Sequence, residues 1–121
     1  MNRIKDSQPD ITEFERPDPY ILVQVIKYVP KAEVRKVARK KLSENITAMS
    51  IATGEIVSEK TLPFVTLIQI IDGEAEVVIN KIKNKLKFGD GIVIPAHTAH
   101  SINANSQFKM VSTIVKSGYE L

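Results

Sequence analysis

The sequence predicts a small all-β domain of sandwich or barrel type, on three observations. Turn signals recur about every eight to twelve residues from Asn45 onward, the spacing at which short strands follow one another in such folds. Alternation sorts the intervening segments into two faces, with Thr66, Ile68 and Ile70 on one side of their strand and Ala75, Val77 and Ile79 together on another. The dipeptides Asp72-Gly73 and Gly89-Asp90 supply glycine where tight turns need a positive φ.

Taken in order, residues 1–19 are polar, carry Pro9, Pro17 and Pro19, and read as an N-terminal arm with no core of its own. Residues 20–121 form the domain. Residues 20–29, YILVQVIKYV, read as a strand ended by Pro30, although a run so evenly apolar also suits a buried helix. Residues 33–42 hold Val34, Val37 and Leu42, enough for one weak helical turn without a clear apolar face. From Asn45 the strands are ITAMSIA, a turn at Thr53-Gly54, EIVSEKTL, then Pro63. VTLIQII follows, a turn at Asp72-Gly73, EAEVVIN and a polar loop around Lys81 to Asn84. KLKF, the Gly89-Asp90-Gly91 turn, IVI ending at Pro95, HSINA and FKMVSTIV complete the chain.

Composition bounds the function. With 121 residues the chain suits one domain, and a chain of that length buries a core without disulfides. It has no cysteine, hence no zinc-thiolate site, which fits a cytoplasmic protein. The start lacks a signal-peptide core, and the longest apolar stretch, Tyr20 to Val29, is too short to span a bilayer. The net charge of +3 is concentrated in Lys31 to Lys41 and in Lys81, Lys83, Lys85 and Lys87. Neither run carries the aromatics that stack on bases, and alternating lysines suit the solvent face of a strand, so no nucleic-acid or membrane partner is expected. No phosphate loop, dinucleotide fingerprint or nucleophile elbow is present.

Two stretches resemble the paired signature motifs of the cupin family. The first family motif is G, five residues, H-x-H, three or four residues, E, six residues, G; here it reads Gly54, Lys60-Thr61-Leu62, Thr66 and Gly73 at matching spacings. The second, G, five residues, P-x-G, two residues, H, three residues, N, reads Gly89, Pro95-Ala96-His97, His100 and Ala104. The resemblance covers roughly residues 36–115 and is strongest in GDGIVIPAHTAHSI. It is to small single-domain members of the RmlC-like cupin superfamily, of the cupin 2 conserved barrel type. It implies a double-stranded β-helix, a jelly-roll-like barrel with a pocket between two sheets, and commonly a dimer.

The same resemblance implies a degenerate metal site. Of the family's four ligand positions, Lys60, Leu62 and Thr66 have lost the ligand and only His100 keeps it, so no metal and no other cofactor is expected. His97 takes the place of a family glycine and reads as a surface turn residue. Alternation leaves an interior of aliphatic side chains with Lys60, Thr66, His100 and Ser112 as its polar groups, the usual form of a small-molecule site. The expected ligand-binding residues are therefore Lys60, Leu62, Thr66 and His100.

The leading expectation is a protein that binds a small, anionic or sugar-like molecule. A first alternative is a metal-independent sugar or carbonyl isomerase or epimerase using His100 as base, with Lys60 as a second candidate. Its acid would have to come from Tyr20, Tyr28 or Tyr119, all outside the motifs. A second alternative is a filled barrel acting as a dimeric scaffold or regulatory module. A homodimer is expected through an outward strip of Val65, Leu67 and Ile71, with residues 20–29 adding a strand across the two-fold axis.

Overall fold

A computed structural model of the chain describes residues 19–40 and 44–116. Among these residues, apart from one helical turn, α1 (Leu22–Val25), the regular structure is eight strands: β1 (Glu33–Lys40), β2 (Glu44–Ile51), β3 (Ile56–Lys60), β4 (Val65–Ile79), β5 (Ile82–Lys87), β6 (Gly91–Ile94), β7 (His100–Asn103) and β8 (Phe108–Val115). All pairings are antiparallel, and the main path through the sheet runs β1-β2-β8-β4-β7-β3. The expected all-β double-stranded β-helix is what the chain forms.

Strand β4 explains how one path makes two sheets. Its first half pairs with β8 and β6, and its second half with β5 and β7. The register shifts between Ile70 and Asp72, and Gly73 follows with φ 74°. Asp72-Gly73 therefore lies inside one continuous strand, just past the extra residue Ile71, and is not the hairpin turn its composition suggests. An extra residue kinks a strand and sharpens its twist, which lets β4 cross between sheets. A side chain at Gly73 has no room: a Cβ there would stand 2.3 Å from the Gln107 carbonyl oxygen.

Two other expectations change at the ends of strands. The turn before β5 is Asn80-Lys81, both at positive φ, and Ile82, Lys83 and Asn84 of the expected polar loop belong to β5. Residues 33–40 form strand β1 in place of a weak helical turn, because pairing with β2 satisfies their backbone whatever their apolar pattern. Lys81, Lys83, Lys85 and Lys87 are exposed, as expected of a solvent face. Across from them on β4, Glu76 registers with Lys85 and Glu74 with Lys87.

Residues 20–29 are not a strand. They make the single turn α1 and then an irregular segment lying on the outer face of the β2–β8 sheet. Ile26 is fully buried there, and the Ser50 hydroxyl donates to the Lys27 carbonyl at 2.7 Å. Lys109 donates to the Val23 carbonyl at 2.7 Å and stands 4.7 Å from the centre of the Tyr28 ring. The Tyr28 hydroxyl donates to Asp72 at 2.7 Å. A segment apolar at nearly every position chooses its form by the surface it must cover. The N-terminal arm lies outside the described residues but for Pro19, as do Lys41, Leu42 and Tyr119. No helix among the described residues is long and apolar enough to cross a membrane.

Inside, the closed end of the barrel is filled. Ile51, Ile70, Ala75, Val77, Ile102 and Phe108 belong to one buried cluster. A cavity remains beside this cluster, lined from β1 by Arg35 and from β3 by Lys60.

Candidate functional site

The cavity follows from the pleat. Residues in one register row share a face, so the rows Ile68–Ser112–Thr47 and Ile70–Met110–Met49–Arg35 all face inward. On the opposing sheet, Lys60 of β3 registers with His100 of β7. Between them lies a cavity of about 70 Å³, lined on its floor by Val57, Ile68, Ile102 and Met110. Lys60, Leu62, Thr66 and His100, the four positions marked by the motifs, all line it, and so does Ser112.

Three polar residues at this cavity are invisible to the motifs: Arg35, Asn45 and Thr47. Arg35 stands on β1 and Lys60 on β3, the two ends of the sheet path, so the cavity opens between two cations. Arg35 donates through Nε to Glu33, which leaves its two terminal nitrogens as further donors. The Thr47 hydroxyl donates to the Asn45 side-chain oxygen at 3.0 Å. Among the described residues no carboxylate lines the cavity.

Lys60 has its pKa lowered from the ordinary lysine value, first by desolvation and then by the charge of Arg35, with Glu33 opposing. Yet the residue as a whole is exposed. An amine at the rim reconciles the two, its stem against the wall and its head near water. The exposure decides the charge, and the ammonium is the form present at neutral pH. This places Lys60 at the mouth and not deep in the barrel.

His100 is 3% exposed, and its Nδ1 lies 3.2 Å from the Thr98 carbonyl oxygen. A carbonyl only accepts, so in this contact Nδ1 carries the hydrogen and the neutral ring keeps Nε2 as an acceptor. Thr66 is also 3% exposed, and its buried hydroxyl has no hydrogen-bond partner among the described residues. A buried polar atom left unpaired is costly, so its position on a cavity wall marks a place for a ligand or water.

The donor set does not fit a transition metal. At the positions where the resemblance places ligands stand one imidazole, one neutral hydroxyl, an aliphatic side chain and an ammonium, which repels a cation. Among the described residues no three of His, Cys, Asp and Glu come together in a group able to hold a metal. His97 is exposed at φ 60° and donates its backbone N–H to the Leu62 carbonyl at 2.6 Å, so it closes a surface turn where the family has glycine. Among the described residues no tyrosine lines the cavity: Tyr28 is engaged with Asp72, outside it, and Tyr20 is exposed.

This architecture is shared with solved structures. A conserved protein of unknown function from Streptococcus pyogenes superposes with a TM-score of 0.81 at 24% identity, over 84% of this chain and 90% of that one. A cupin superfamily protein from Desulfitobacterium hafniense gives 0.79 at 28% identity, over 83% and 92%. A Cupin 2 conserved barrel domain protein from Leptotrichia buccalis gives 0.76 at 28% identity, over 78% of this chain and 46% of that longer one. No protein-family model and no curated protein matches the sequence. The chain has the fold of small cupin domains.

Proposed function

We propose that this cupin-fold domain binds a small organic anion between its two sheet edges, without a transition metal. One observation carries the reading: Arg35 and Lys60 meet at the mouth of a cavity whose lining, among the described residues, holds no carboxylate. Glu33, paired with Arg35, offsets part of the repulsion between the two cations, and a bound anion would relieve the rest. The guanidinium adds a planar fork that matches a carboxylate, which an ammonium alone lacks. The cavity, at about 70 Å³, is far below the roughly 300–1,000 Å³ of drug-sized pockets, which favours a small ligand over a nucleotide sugar.

A ligand that binds only the folded state raises its melting temperature. Small carboxylates should therefore raise Tm in a thermal-shift assay, and Lys60→Met should abolish the rise while leaving the fold intact. Unchanged stabilisation in Lys60→Met would exclude Lys60 from binding. The metal half of the reading has its own test. Protein expressed in metal-supplemented medium should carry less than one equivalent of any transition metal by elemental analysis. A stoichiometric metal that disappears in His100→Ala would overturn it.

A further inference from the structure

The anion reading leaves the inner wall unexplained. A simple carboxylate held by Arg35 and Lys60 at the mouth would leave the Thr66 hydroxyl buried and unpaired on the wall, and would give His100 Nε2 nothing to accept from. The two inner groups differ in kind. Nε2 of the neutral ring accepts only, because Nδ1 holds the hydrogen bonded to Thr98. The Thr66 hydroxyl both donates and accepts. A single group that satisfies both must itself donate to the imidazole and accept from the threonine. A hydroxyl does this; a ketone oxygen has no hydrogen to give to Nε2, and a methyl group offers neither. The walls around it, Val57, Ile68, Ile102 and Met110, are apolar and suit a short carbon chain.

Resting on the anion reading above, we infer that the ligand is a short hydroxy acid of roughly two to four carbons, sized to a cavity of about 70 Å³. Its carboxylate lies at the mouth against Arg35 and Lys60, and its hydroxyl reaches His100 Nε2 and Thr66 Oγ1. The polarity of the site sets that orientation. Both cations come from the strands at the ends of the sheet path, and Thr66 and His100 are buried.

Titration calorimetry at neutral pH on the full chain separates the possibilities. Glycolate and lactate should bind at least about tenfold more tightly than acetate and propionate, because a buried site built to bond a hydroxyl rejects the analogue lacking it. Pyruvate should fall with the weak group. Thr66→Val should erase the preference for the hydroxyl while keeping the weak carboxylate binding. Thr66→Ser, which restores the hydroxyl, should keep the preference. Lys60→Met should weaken hydroxy and plain acids alike. If acetate and propionate bind as tightly as glycolate and lactate, the hydroxyl assignment is wrong and the anion reading stands. Pyruvate binding as tightly as lactate would likewise defeat it, since the acceptor role of His100 would be wrong. If no carboxylate binds at all, the anion reading itself fails and takes this inference with it.

Discussion

Thr66 and Lys60 show what a single position can and cannot reveal from sequence. Motif spacing alone brings Lys60, Leu62, Thr66 and His100 to one cavity, because strand alternation and fixed turn lengths carry a residue to the same wall whatever its side chain. Arg35 was not legible, since the pattern around Val34 and Val37 gave no strand to alternate along. Depth was not legible either: the motif position directs Lys60 inward, and its long stem carries the amine back to the rim. Its lowered pKa has a consequence in alkali. The folded state releases the Lys60 proton at lower pH than the unfolded chain does. Between the folded value and the ordinary 10.5 the unfolded chain therefore holds more protons, and stability gains from this group as pH rises. Below that window the charged amine is a standing cost, softened by its exposure. Comparing urea denaturation of the wild type and Lys60→Met from neutral pH to about 10.5, the wild type should show the steeper upward component. Parallel profiles would mean that the amine is fully hydrated and far from Arg35.

At the scale of elements, β4 holds the fold together and was half legible. Its two halves, VTLIQII and EAEVVIN, are correct as extended segments, and their inward residues Ile68, Ile70, Ala75 and Val77 are buried. Asp72-Gly73 between them looks like a hairpin turn because Gly73, just past the extra residue Ile71, takes the positive φ that a tight turn also asks for. Only the partner strands distinguish a bulge from a turn, and β8 stays paired on both sides of the bulge, at Ile70–Met110 and Gly73–Phe108. The segment from Tyr20 to Val29 failed for a different reason: its form is set by the sheet face beneath Ile26, which the local sequence does not contain. Gly73 tests the bulge. In Gly73→Ala the added Cβ meets backbone, the Gln107 oxygen at 2.3 Å and the Phe108 Cα at 2.9 Å, and the positive φ adds its own strain. Denaturant titration should show a loss of at least about 2 kcal/mol, the range of backbone-strain and overpacking effects. A loss below about 0.5 kcal/mol would show that the 107–108 backbone shifts freely and that β4 is not pinned at its crossing.

For the whole molecule, the outer face of the β6–β4–β8–β2 sheet is treated in two ways. One part is covered by the chain's own segment, with Ile26 fully buried and Ala48 and Ser50 beneath it almost so. The other part carries the row Val93–Leu67–Thr113–Ile46 and the pair Val65–Val115, with Val93 57% and Val115 41% exposed. The expected strip is thus shifted. Val65 and Leu67 belong to it, whereas Ile71 drops out of register at the bulge, and Val93 and Val115 join from neighbouring strands. Residues 20–29 do not extend a sheet, so any assembly here is face to face rather than by an added strand. These side chains make an apolar patch on β6, β4 and β8 that continues in register into Arg39 on β1 and Glu44 on β2, and apolar patches on small domains mark contact sites. The expected assembly is a homodimer through this face. Light scattering should report twice the chain mass, and Val93→Lys should convert it to a monomer with an unchanged circular dichroism spectrum, since the position is exposed and its replacement opens no cavity. Lys60→Met, at the open end of the cavity, should stay dimeric. A wild type that is monomeric at every concentration, or a Val93→Lys variant that remains a dimer, would remove this face as the interface.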